Sequence, residues 1–108
     1  MANSYKRLGA VRPADTNEAK LYGPAASTSA IVSVTICNQD SSDRTFRLAH
    51  TNTDAAADSE DWIYYDQAIT ANSSIQITGL CLYTPETIRV RASVADKISF
   101  VASGLEIT

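Results

Sequence analysis

The chain has 108 residues, a formal net charge of −3 and a pI near 4.9. That length is one domain, and the acidic balance argues against a general nucleic-acid binder, which needs a basic face. No stretch approaches the ~18 consecutive apolar residues of a membrane span. Hydrophobic residues make up 44% and charged residues 19%. This is enough apolar material for a core and argues against a disordered chain. Small residues fill the gap left by charge: 16 Ala, 12 Ser and 11 Thr. Such a chain buries little area per residue, so a modestly stable monomer that gains from a partner or a multimer is expected.

Residues 1–17 differ in kind from the rest and read as an arm or strap ahead of a sandwich domain over 18–108. The N-terminus has no apolar h-region behind Lys6-Arg7, so it does not read as a signal peptide. Pro13-Ala14-Asp15-Thr16-Asn17 is a turn, and Glu18–Tyr22 a short strand ended by Gly23-Pro24. Val32, Val34 and Ile36 alternate with Ser33, Thr35 and Cys37, the pattern of a half-buried strand over Ile31–Asn38. Arg44–His50 repeats it with Phe46 and Leu48. The turn cluster Gln39-Asp40-Ser41-Ser42-Asp43 between them suggests a hairpin.

Thr51–Glu60 is a break whose three alanines cannot establish a helix. Trp62–Asp66 reads as a strand with Ile63 and Tyr65 on one face and Trp62 and Tyr64 on the other. Ile75–Tyr83 is a strand with a bulge at Gly79. Thr87–Ala92 alternates cleanly, Ile88, Val90 and Ala92 inward. Lys97–Ala102 follows, Gly104 interrupts, and Leu105–Thr108 ends the chain. About seven short strands and no helix indicate an all-β fold: a single small antiparallel β-sandwich, jelly-roll or immunoglobulin-like, with an extended N-terminal arm.

Chemistry finds little support. His50 is the one histidine and no nucleophile motif surrounds it, so a strand-end histidine bonded to a loop is expected, not a general base. Cys37 and Cys81 are too few for a disulfide scaffold; they could pair across a sandwich with Trp62 between them in sequence, as in immunoglobulin domains, but the preferred reading is two buried thiols in a reducing compartment. No Cys/His pair has zinc spacing. The oxygen-bearing side chains of Asn52, Asp54, Asp58, Glu60 and Asp61 share one loop, but their spacing matches no EF-hand. No catalytic, cofactor or metal residue is assigned, and no cofactor is expected. The basic segment with Lys6, Arg7 and Arg12 contrasts with the acidic stretch carrying Asp58, Glu60 and Asp61, a contrast suited to neighbour-to-neighbour docking.

Several segments together resemble small virion structural proteins of tailed bacteriophages, chiefly of cyanophages and marine phages. They are Lys6-Arg7-Leu8-Gly9 with Pro13-Ala14; Leu21-Tyr22 before Pro24-Ala25; Ala30-Ile31-Val32-Ser33 leading to Cys37-Asn38; Thr45-Phe46-Arg47; Tyr64-Tyr65-Asp66 before Ile69; and Ile98-Ser99-Phe100 to Gly104-Leu105-Glu106-Ile107-Thr108. Two departures stand out. Gly23 stands alone where the family carries a Thr-Val pair, and Gln39-Asp40 replaces a basic, glycine-containing turn. The resemblance implies a non-enzymatic β-sandwich of the virion, assembled in the host bacterial cytoplasm. Its preferred role is capsid decoration or cement between major capsid subunits. A tail, baseplate or fibre-attachment component of the same fold is the alternative, and a small glycan- or ligand-binding sandwich the third reading. The expected partners are the major capsid protein or other virion proteins and further copies of the chain, a trimer among the options. Neither nucleic acid nor membrane is expected as a partner. The contact residues expected are Tyr5, Lys6, Arg7 and Leu8 on the arm, and Trp62, Tyr64, Tyr65, Asp58, Glu60 and Asp61 around the aromatic strand.

Overall fold

A computed structural model of the chain describes residues 3–108. Eight strands follow one another: β1 (Asn3–Val11), β2 (Ala19–Tyr22), β3 (Ser29–Asn38), β4 (Arg44–Thr51), β5 (Trp62–Ile69), β6 (Ser74–Tyr83), β7 (Thr87–Ala92) and β8 (Ile98–Ile107). They form two four-stranded sheets, ordered β1-β8-β3-β6 and β2-β7-β4-β5, with every pairing antiparallel. We call them sheets A and B. The chain changes sheet at every connection except β4–β5. This eight-stranded double-sheet order is that of a jelly roll, one of the two sandwich types expected, and differs from the immunoglobulin arrangement.

Three expectations are corrected. First, β3 and β4 form no hairpin; they lie in different sheets. Both carry alternating apolar faces, and these bury against one core from opposite sides instead of pairing edge to edge. Second, Leu105–Thr108 is no separate strand, because β8 runs through Gly104, which pairs with Lys6 on one side and Val32 on the other. A Cβ on Gly104 would stand 2.0 Å from the Ile31 carbonyl oxygen, and its φ is 154°. Only glycine lets the three strands close up there. Third, Asn3–Val11 is a strand. It forms the edge of sheet A beside β8, so the count is eight instead of about seven.

The core lies between the sheets. From sheet A come Val32, Val34, Ile36, Ile98 and Phe100; from sheet B come Phe46, Leu48, Ile88 and Val90, all essentially inaccessible. Phe46 and Phe100 meet edge to face across the sandwich, ring centroids 6.2 Å apart, a favoured aromatic geometry. The bulge in β6 is present. Val32 pairs with Leu80 and Val34 with Ile77, leaving one extra residue on β6. Gly79 takes up the left-handed φ of 79°. The bulge shifts the side-chain phase, so that Ile77, Leu80 and Leu82 all reach the core.

Asn38 explains how the chain crosses from β3 to the other sheet. It is fully buried. Its amide nitrogen donates to the Ser42 and Ile69 carbonyls at 3.0 and 3.1 Å. Its Oδ1 accepts from the Asp40 amide at 3.0 Å. One polar side chain thus satisfies the turn after β3 and the end of β5, where water cannot reach.

Candidate docking surfaces

The register fixes which side chains stand on the outer face of sheet A. Tyr5 is opposite Leu105, Leu105 opposite Ile31, and Ile31 opposite Cys81. The next row outward is Asn3, Ile107, Ser29 and Tyr83. Paired residues point to the same side of a sheet. Tyr5 is 81% exposed, Tyr83 54% and Ile31 47%. Toward the other end the rows turn small: Ser33 opposite Ser103, and Val101 between Ala10 and Thr35. Among the described residues of these rows Arg7 is the one charged side chain. An antiparallel sheet with a solvated face ordinarily reads polar outward; here Tyr5, Leu105, Ile31 and Cys81 form one apolar row that crosses all four strands, beside rows of small polar residues.

The two thiols lie on this same face, which corrects the expectation that they are buried. Cys37 sits between Ser99 and Ser74, and Cys81 beside Ile31. Cys81 is exposed, Cys37 half-buried, and both are free.

The arm residues separate. Leu8 packs against the core. Lys6 leaves the strand on the side opposite Tyr5 and Arg7, stays largely exposed, and pairs with Glu106 at 3.1 Å. Tyr5 and Arg7 face outward on the strand. The Glu106 carboxylate also accepts the Tyr22 hydroxyl of β2. This bond, and then the Lys6 ammonium, hold the Glu106 carboxyl below the usual glutamate range. Burial, reinforced by the same bond, pushes the Tyr22 phenol well above its usual value.

The second surface lies on sheet B. β5 is irregular against β4, with register shifts on either side of Leu48, and Asp66 adopts a φ of 52°, a region that Asp tolerates better than most residues. The kinks send Tyr64 inward to Phe46, centroids 5.8 Å apart. They bring Trp62 and Tyr65 edge to face at 6.0 Å. Strict alternation would have put those two on opposite faces. Arg47 stacks its guanidinium 3.8 Å from the Tyr65 centroid and holds Asp66 through two bonds of 2.7 and 3.1 Å. The Arg47 donors keep the Asp66 carboxyl below the usual range. A polar groove of about 290 Å³ runs alongside, lined by Thr16, Thr45, Arg47, Asp66, Arg91 and Ser93 among others. One face of the Tyr65 ring is already taken by the guanidinium, which weakens it as a stacking platform.

The acidic loop between β4 and β5 turns to its own sheet. Asp54 pairs with Lys20 at 3.1 Å and with Arg89 at 3.6 Å, and Glu18 accepts the Ala57 amide at 3.0 Å. Asp58 and Asp61 close a local turn. Asp58, Glu60 and Asp61 form no ion pair among the described residues. Among the described residues no three His, Cys, Asp or Glu side chains come together as metal ligands would. His50 lies 3.5 Å from Glu86 in sheet B, and both cysteines are in sheet A, so no Cys–His pair forms.

No family model matches the chain, and no curated protein matches it. Solved structures of similar outline include a cleaved adhesin domain of Lys-gingipain from Porphyromonas gingivalis. It has 11% identity and a TM-score of 0.47 over 84% of this chain and 62% of that one. The infectious bursal disease virus Gx strain structure gives 10% and 0.49 over 97% and 29%. The cyanophage Pam1 capsid asymmetric unit gives 14% and 0.48 over 96% and 83%. The chain thus spans less than two thirds of the first two. Likenesses at this level carry no activity or partner over to this chain.

The outward residues of sheet A that the sequence reading did not single out as candidates are Ile31, Leu105, Ile107, Cys81 and Tyr83. The signal was present for two of them. Ile31 is out of phase with Val32, Val34 and Ile36, and Tyr83 is out of phase with Leu80 and Leu82.

Proposed function

We propose that the protein is a non-enzymatic structural component of a phage virion that works by docking. The carrying observation is the apolar row across the outer face of sheet A, poor in charge, with Tyr5, Ile31 and Tyr83 standing exposed on that face. Contiguous exposed apolar surface on a small domain marks an interaction site, and aromatic residues with few charges are the composition of an interface core. The resemblance of the sequence segments to small tailed-phage virion proteins supports the location. The jelly-roll order supports the same reading, since viral capsid domains are among those that use it. In this reading the protein cements or decorates the head: each copy contributes a modest interface, and the symmetry of the shell multiplies it.

The test offers purified protein separately to purified heads and purified tails of the phage that carries the gene. Co-sedimentation with heads, lost in Tyr5→Lys and Tyr83→Lys, is the expected result. Retention on tails alone moves the protein to the tail. Retention on neither, together with retention on a glycan matrix that Trp62→Ala abolishes, replaces the reading with a sugar-binding one.

A further inference from the structure

The outer face of sheet A needs an occupant, and we infer that the occupant is a second copy of this chain. The two copies pack face to face about a two-fold axis beside Ile31. This rests on the structural reading and deepens it: on the shell the sheet A surface meets the same surface of a neighbouring copy, and the loss of head binding in Tyr5→Lys follows from the loss of that pairing.

Charge comes first. Among the described residues of its rows no side chain is a carboxylate, and Arg7, on the edge strand, is the single cationic one. A protein of net charge −3 repels its own copies through its acids, so any stable self-contact must exclude them. The acids of this chain lie in the loops, on sheet B, or, as with Glu106, turned in between the sheets. The outer face of sheet A is where two copies meet without burying like charges.

Shape points the same way. Stacked sheets pack with their strands about 30° apart because both are twisted. A second copy brings a sheet of the same twist. The central rows, Ser33 with Ser103 and Thr35 with Val101, are small enough for close approach at the ~10 Å spacing of stacked sheets.

Size also suffices. Four strands of nine or ten residues cover a plan area of roughly 600 Å². The accessible surface of a pleated face exceeds its plan, which brings it near the ~800 Å² per partner of a standard specific interface. An isologous face-to-face contact closes at two. The predicted assembly unit is therefore a dimer, not the trimer named among the options above.

The experiment measures solution mass by sedimentation and light scattering on the full chain, from ~5 to ~500 µM. It also follows the rate at which a water-soluble disulfide reagent modifies Cys81. The expected result is a mass rising toward twice 11.6 kDa, with Cys81 modified more slowly as concentration rises. Ile31→Lys and Tyr5→Lys should each weaken self-association about tenfold or more, with a thermal midpoint unchanged at dilutions where the parent is monomeric, both side chains being exposed. Ile63→Lys, an exposed residue of sheet B, should leave the mass as in the parent. A monomer throughout, with Cys81 reactivity independent of concentration, overturns the inference. So does a dimer that survives both sheet A variants, or one that Ile63→Lys dissolves. Binding of a strict monomer to heads would leave the virion reading standing while this inference falls.

Discussion

The Tyr22 hydroxyl donates to the Glu106 carboxylate, and this bond joins the short edge strand of sheet B to the last strand of sheet A. Lys6 on β1 completes the trio at 3.1 Å from Glu106. Three strands from both sheets are tied at one end of the sandwich. The bond requires a protonated phenol and an ionised carboxyl. Glu106 titrates lower than usual, and Tyr22 higher. A depressed carboxyl contributes stability above its unfolded value and loses it as pH falls through the folded one. A raised phenol contributes below its unfolded value and loses it as pH rises. The contribution is therefore full between the ordinary values of about 4.3 and about 10. Tyr22→Phe should cost about 1–2 kcal/mol at neutral pH. The gap in thermal midpoint between parent and variant should stay flat across that window and close in stronger acid. A gap that widens in acid would contradict the assignment.

Removing residues 1–8 should destabilise the domain. Five of the eight register pairs between β1 and β8 involve Asn3 to Arg7, and the deletion also takes away Leu8 from the core and Lys6 from Glu106. A fall in thermal midpoint on the order of 5 °C or more is expected. An unchanged midpoint would mean that the segment works as a free arm and adds nothing to the sandwich.

Asn38→Ala should be among the most damaging single changes. It orphans the Ser42 and Ile69 carbonyls and the Asp40 amide at a fully buried position. A loss of about 2–4 kcal/mol is expected by chemical denaturation, with no rescue from Asn38→Leu, which fills the volume but supplies no donor. Full stability in the leucine variant would show that packing alone holds the crossing.

Much of the sandwich was legible because its inner faces alternate. Val32, Val34, Ile36 and Ile88, Val90, Ala92 each announce a strand and its buried side. The bulge at Gly79 was legible too, from the phase change between Ile77 and Leu80. β1 was not, since Ser4 to Leu8 show no period of two; an edge strand is held by backbone bonds to β8 and needs no alternation. Sheet assignment was hidden for a different reason. The turn Gln39–Asp43 looks the same whether it reverses a hairpin or carries the chain across the core, and the deciding residue, Asn38, acts through atoms some 30 residues away. On β5, two register shifts bring Trp62 and Tyr65 together against the expected alternation, and no local residue marks them except Asp66. The sheet A surface was partly visible in Ile31 and Tyr83. It emerges as one surface only once β1, β8, β3 and β6 are set side by side.

The cysteines test that side-by-side register directly. Ser74 is opposite Cys37, and Ile31 opposite Cys81. Along β6 the two thiols are therefore separated by roughly 20 Å of strand, far beyond the ~7 Å between Cα atoms that a disulfide spans. Mild oxidation of the dilute protein should leave both thiols free, and a thiol reagent should add two labels per chain. Cys81 should be labelled first and Cys37, half-buried between its neighbours, second; digestion and mass spectrometry read the order. An intrachain disulfide would be incompatible with β3 and β6 pairing in this register, and with it the row that joins Tyr5, Leu105 and Ile31 to Cys81 would fall.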